Sequence, residues 1–165
     1  MTDAKHSDIA MAFARESGSA ARNRLYAARF KKEGKMALVG LLNAIAESEE
    51  IQARRAFMHL RGKIDNPSEY ISALKKSKFE AYSRLYPGMS SKLYNAGQKT
   101  TAEAFEQFGE VAKVHLDHLD AVKDEIESRS PRFVVCRVCG YIAADDPPSR
   151  CPVCGAVQVK FRPVE

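Results

Sequence analysis

No stretch of this 165-residue chain approaches the roughly 20 consecutive apolar residues that a membrane-spanning helix needs. Its first residues, MTDAKHSDIAMAF, are too polar and too acidic to read as a secretory leader. No glycine-rich phosphate loop and no Ser/His/Asp arrangement stands out, and no cysteine occurs before position 136. These absences argue against a membrane protein, an exported protein, a phosphate-loop nucleotide binder and a triad hydrolase. The expected compartment is the cytoplasm.

What is present is a substantial hydrophobic fraction, 45%, enough for a real core. The formal net charge is +5, with basic and acidic residues interleaved along the chain. Nucleic-acid binders usually concentrate charge in a stripe, so this pattern reads as a solvated helical surface. Neither nucleic acid nor a membrane is expected as a partner.

Residues from about 4 to 128 read as four helices, near 4–32, 36–62, 68–95 and 99–128, separated by turn signals at Gly34, Asn66-Pro67 and Gly97. Tyr86-Pro87-Gly88 is expected to kink or interrupt the third. Ser128-Arg129-Ser130-Pro131 reads as a linker, and beyond it short Val-rich runs, turns and cysteines suggest a small β module. The expected fold is mainly α: an antiparallel four-helix bundle over 1–130, followed by a small β metal knuckle over 131–165.

The apolar stripes at helical spacing are Ile9, Phe13, Ala20, Ala27 and Phe30; Leu38, Leu42, Ile45, Ala56 and Leu60; Ile71, Leu74, Ala81, Leu85 and Met89; and Phe105, Phe108, Ala112, Leu119, Val122 and Ile126. A polar residue or alanine interrupts each stripe near its middle. These are Glu16 in the first, Glu49 and Gln52 in the second, Lys78 in the third, and Ala112 with His115 in the fourth. Buried polar groups cost several kcal/mol unless partnered, roughly 2–7 each, so a polar layer inside the bundle is the first functional suspicion.

The four cysteines, Cys136, Cys139, Cys151 and Cys154, form two Cys-x-x-Cys pairs, each followed by glycine. In a reducing compartment this spacing favours metal ligation over disulfides. Four thiolates make a tetrahedral site for one iron or one zinc. The glycines let the backbone turn so that amides point at sulfur.

The two halves together resemble the rubrerythrin family, a ferritin-like bundle followed by a rubredoxin-like domain. The likeness rests on Ala12-Phe13-Ala14-Arg15-Glu16-Ser17, the Lys31-Lys32-Glu33-Gly34 turn, Tyr86-Pro87, the run from Gly97 through Phe105 to His115, and the Cys-x-x-Cys-Gly-Tyr and Cys-Pro-x-Cys-Gly motifs. The resemblance implies peroxide reduction, in which cysteine-bound iron feeds electrons to a carboxylate-bridged diiron site in the bundle. It also implies a homodimer that sets one chain's knuckle near the other's bundle.

Carried over by position, Glu16, Glu49 and His115 match family diiron ligands. Gln52 stands at a family His, Lys78 and Ala81 at a Glu pair, and Ala112 at a Glu. Two carboxylates and one ammonium leave about −1 of protein charge against two iron ions of at least +4, so no diiron centre is expected. A mononuclear site on the three survivors is an alternative. Lys78 inserted between Glu16 and Glu49 fits the substitutions better. Glu50, Glu80, Glu110 and His118 read as surface or bundle-edge residues, His6 and His59 as surface histidines, and Tyr26, Tyr70, Tyr82 and Tyr94 as packing residues.

Two functions compete on this reading. One is a rubrerythrin-like electron-transfer protein with iron at the four cysteines, a degenerate bundle site and a redox partner protein. The other is a redox-inactive scaffold whose knuckle holds structural zinc. Residual peroxide reduction, or one metal held for storage or hydrolysis, are weaker readings.

Overall fold

In a computed structural model, the described residues are 2–61, 66–121 and 132–164. The chain is mainly helical with a small antiparallel sheet at its C-terminal end, the expected class. Helix α1 spans Thr2–Lys32 and α2 spans Met36–Arg61. Helices α3 (Pro67–Glu80) and α4 (Tyr86–Asn95) are joined by a π-helical turn over Ala81–Leu85, and α5 spans Lys99–Ala121. The expected linker at 128–131, and the stripe positions Val122 and Ile126, lie outside the described residues.

By their internal packing the residues form two compact units, 1–65 and 66–165. The first is the antiparallel α1–α2 hairpin. Its seam is built from small residues one heptad apart: Ala20 and Ala27 on α1, and Val39, Ala46 and Ala53 on α2, all buried. Alanine carries no side chain beyond Cβ, so two such rows allow a close approach of helix backbones. Phe13 and Phe57 close the open end of the seam with ring centroids 5.4 Å apart. The α1 stripe is thus as expected at Phe13, Ala20 and Ala27. On α2 the seam runs through Val39, Ala46 and Ala53, and leaves Leu38 and Ile45 of the expected stripe exposed.

The second unit begins at an N-cap. The Asn66 side-chain oxygen accepts from the Ser68 amide at 3.0 Å, and Pro67, which has no N–H to satisfy, takes the first turn. The interruption expected at Tyr86-Pro87-Gly88 takes the form of the π turn just before it. The Tyr86 amide reaches back to the Ala81 carbonyl, and the Ser83 hydroxyl donates to the Phe79 carbonyl at 2.7 Å. Pro87 has no N–H to give the preceding turn, so widening that turn accommodates it.

Helix α5 packs on α3, the π turn and α4, burying Ala102, Gly109, Val111 and Ala112. Tyr86, Phe105 and Phe108 form an aromatic cluster with centroids 5.4–6.1 Å apart. Ser90, buried, donates to Glu106 at 3.1 Å.

The sheet comprises β1 (Phe133–Cys136), β2 (Ile142–Ala144) and β3 (Phe161–Pro163), in the order β2-β1-β3 with both pairings antiparallel. Phe133 pairs with Ala144, Val135 with Arg162, and Cys136 with Phe161. Strand alternation turns Val134 and Cys136 inward, where both are buried. The end of β1 therefore delivers the first cysteine to the interior of the module.

Candidate metal centre

The two Cys-x-x-Cys-Gly segments fold as copies of one turn. In the first, the Gly140 amide donates to the Cys136 carbonyl at 2.9 Å and the Cys136 amide to the Tyr141 carbonyl at 2.8 Å. In the second, the Gly155 amide donates to the Cys151 carbonyl and the Cys151 amide to the Ala156 carbonyl, both at 2.8 Å. Gly140 and Gly155 have φ of 86° and 71°, the left-handed region that other L-residues enter only at a cost. That reversal sends the next amide back toward sulfur: Tyr141 toward Cys139, and Ala156 toward Cys154.

The ligand atoms of Cys136, Cys139, Cys151 and Cys154 lie within 4.8 Å of one another. Cys136 and Cys154 Sγ are 3.8 Å apart, and Cys139 and Cys151 Sγ 3.6 Å. A tetrahedral ion with metal–sulfur bonds of about 2.3 Å sets sulfur–sulfur edges of about 3.8 Å, so the four thiols fit one such ion, iron or zinc. Cys136 and Cys151 are buried, while Cys139 and Cys154 are half-buried.

Electrostatics differ among the four. Burial pushes the Cys136 thiol up, but the amides of Cys139 and Val138 and the Cys154 thiol outweigh it and hold Cys136 below its ordinary value. Burial drives Cys139 far above its ordinary range despite the Tyr141 amide. Cys154 is raised by burial against the opposing Ala156 amide. Four thiolates crowded this closely require a cation to be ionised together.

The remaining candidate positions are distributed between the two units. In the hairpin, both oxygens of Glu49 are occupied from α1: Ser19 Oγ donates at 2.7 Å and Asn23 Nδ2 at 2.9 Å. Glu16 lies one turn before Ser19 and stands 3.8 Å from the Arg15 guanidinium. Gln52 is exposed, its amide 3.4 Å from Ser48 Oγ. Ser19 and Asn23 are partners of Glu49 that sequence reasoning missed. Their only signal is helical spacing, four residues apart on the face that carries Glu16.

In the second unit Ala81 is half-buried beginning the π turn, and Ala112 is buried on α5. Lys78 and His115 come together with His118 around a cavity of ≈ 360 Å³, otherwise lined by Leu74, Leu119, Phe133 and Ile142. Burial, and then the charge of Lys78, lower the His115 pKa, while a backbone hydrogen bond with Gly140 opposes them. Helix α5 thus meets the cysteine module through two histidines. The described residues contain no helix long and apolar enough to cross a membrane.

Comparison with known proteins agrees with this geometry. The family description "Rubrerythrin, rubredoxin-like domain" matches residues 135–162. The chain is similar to rubrerythrin of Porphyromonas gingivalis, 30% identical over 179 positions that cover 95% of this chain and 88% of that protein. It is 23% identical to nigerythrin of Nitratidesulfovibrio vulgaris, over 94% of this chain and 81% of that one. Among solved structures, nigerythrin in a mixed-valent state matches with a TM-score of 0.57 at 19% identity, covering 96% of this chain and 86% of that chain. This last likeness concerns fold alone.

Proposed function

The chain belongs to the rubrerythrin family, and from that premise we propose that it is a one-electron carrier holding a single iron at Cys136, Cys139, Cys151 and Cys154, with the family's diiron site lost from its helices. The observation that carries this reading is the four-sulfur cluster, all within 4.8 Å, with backbone amides turned toward the thiols. Thiolate-bound iron supplies a ferric–ferrous couple. The chain's own part is to hold four thiolates together, to stabilise them with amide dipoles, and to keep water from Cys136 and Cys151.

Loss of the diiron site follows from charge. Where the family has a ligand set rich in carboxylates, this chain has Glu16, Glu49 and His115, with Gln52, Lys78, Ala81 and Ala112 at the other positions. About −1 of protein charge does not offset the +4 or more of two irons. The bonds from Ser19 and Asn23 support this: neutral donors already occupy both oxygens of Glu49. Peroxide reduction, which in the family needs both centres, is not the activity proposed.

The working protein is a homodimer in the cytoplasm, where a reducing environment keeps the thiols available to metal. Leu25, Leu38, Leu41 and Ile45 are exposed on the hairpin, an apolar surface that a second copy would cover. The second reading, a redox-inactive scaffold, is favoured by one observation: the sulfur spacing suits zinc equally well.

Metal stoichiometry per chain, measured with a visible spectrum on protein purified anaerobically from iron-replete cells, tests the proposal. One iron per chain with thiolate-to-iron charge-transfer bands is expected. One zinc and no such bands would install the scaffold reading. Three irons per chain would return peroxide reduction to first place.

A further inference from the structure

The cysteine module carries a charge pattern that the chain as a whole conceals. The module, residues 131–165, contains Arg132, Arg137, Arg150, Lys160 and Arg162 against Asp145, Asp146 and Glu165, so it holds +2 of the chain's +5. The strand register separates the two signs. Asp145 and Asp146 follow β2 at the Phe133 end of β1, where the Arg132 amide donates to Asp145 at 3.3 Å. At the Cys136 end, the Arg137 amide donates to the Lys160 carbonyl at 2.9 Å, and Arg162 stands opposite Val135. Phe133 and Cys136 are three residues apart, about 10 Å along a strand. Arg150 immediately precedes Cys151 and donates to the Gly155 carbonyl at 3.3 Å.

Apolar tips lie among these cations. Val138, inside the first Cys-x-x-Cys, is 61% exposed, and Val159, beside Lys160, is 80% exposed. Arg137, Arg150, Lys160 and Arg162 are exposed, and none forms an ion pair among the described residues. An aliphatic patch rimmed by unpaired cations has the character of a protein docking site. The apolar part is aliphatic and offers no exposed ring for base stacking, which favours a protein over a nucleic acid.

We propose that this Arg137–Val138–Val159–Lys160 face is the docking surface for an acidic one-electron carrier protein, which meets the chain directly over the Cys136–Cys139 turn. The proposal rests on the electron-transfer reading above. It adds where the partner binds and which charge it bears. Complementary charge raises the encounter rate and fixes orientation, and Val138 and Val159 supply the short-range contact. A partner seated there lies against the loop that carries two of the four sulfurs, so the electron path is short.

The test uses full-length, zinc-loaded, isotope-labelled protein, which is redox-silent, with a ten-residue polyglutamate peptide as the acidic probe. Saturable amide shifts are expected at Arg137, Val138, Val159, Lys160 and Arg162. Raising ionic strength from about 0.01 M to about 0.15 M shortens the screening length from about 30 Å to about 8 Å and should weaken binding at least tenfold. The double variant Arg137→Glu, Lys160→Glu should abolish the shifts while keeping one zinc per chain. Shifts centred on the helices, unchanged binding by the double variant, or equal binding of a short DNA duplex would each overturn the proposal.

Voltammetry of the iron-loaded protein separates the two claims. A reversible couple without peptide binding removes the docking surface and spares the carrier. Peptide binding without a couple removes the carrier, and with it the redox identity of the partner.

Discussion

His118 on α5 and Ile142 on β2 are joined by a 3.0 Å hydrogen bond from the imidazole Nε2 to the carbonyl oxygen. A carbonyl only accepts, so Nε2 carries the proton and His118 is held as that tautomer or as the cation. The same ring stands edge-on to Phe133, with centroids 5.6 Å apart at 82°. These two contacts anchor the cysteine module on α5.

His118→Ala should therefore loosen the module without emptying it. Loss of one hydrogen bond and one edge-on ring contact amounts to about 1–2 kcal/mol. Amide hydrogen exchange in β1 and β2 should accelerate by about tenfold, with metal stoichiometry unchanged. Exchange at the wild-type rate would mean that the anchor lies elsewhere.

How much of this was legible in advance depends on how local each signal is. The cysteine module repeats a five-residue turn, so its ligands and glycines are readable from spacing alone. The helices, too, announce themselves through Gly34, Asn66-Pro67 and Gly97. The α2 seam was harder: pattern reading favours bulky Leu38 and Ile45, but a seam against the alanines of α1 selects Val39, Ala46 and Ala53. Nor could the sequence reveal Ser19 and Asn23 as partners of Glu49. That contact spans 30 and 26 residues, and only the helix pairing brings it about. Pro87 signalled an interruption of the third helix but not that its form would be a π turn.

His115 should make stability fall in mild acid. Burial, followed by Lys78, holds its pKa below the ordinary value of about 6.5. Between that lowered value and about 6.5 the unfolded chain binds more protons than the folded one, so acidification favours unfolding there. The contribution is complete above about 6.5 and is lost as pH falls through the folded-state value. Lys78→Met removes a repelling charge and should raise the His115 pKa in a proton NMR titration. A value unmoved or lowered would show that Lys78 does not act on this ring.

Glu49→Gln should cost more than a substitution at a solvated glutamate. Both Glu49 oxygens accept hydrogen bonds from α1; in the amide the oxygen keeps the Asn23 bond and the Ser19 hydroxyl turns to accept from the NH₂, so both contacts survive but lose the help of the carboxylate charge. Exchanging two charge-assisted bonds for neutral ones should lower stability by about 1–2 kcal/mol in urea unfolding. Glu47, exposed on the same helix, serves as the comparator, and equal effects at the two positions would refute the assignment.

Gly155→Ala isolates backbone strain from packing. A Cβ at Gly155 meets nothing within 4 Å, so its φ of 71° is the whole of the cost, about 1–2 kcal/mol. Relief of that strain would swing the Ala156 amide away from Cys154. Metal affinity measured by chelator competition should fall by about tenfold, and in the iron form the potential should become more negative as the amide donor is lost. An unchanged affinity would place the constraint outside this turn.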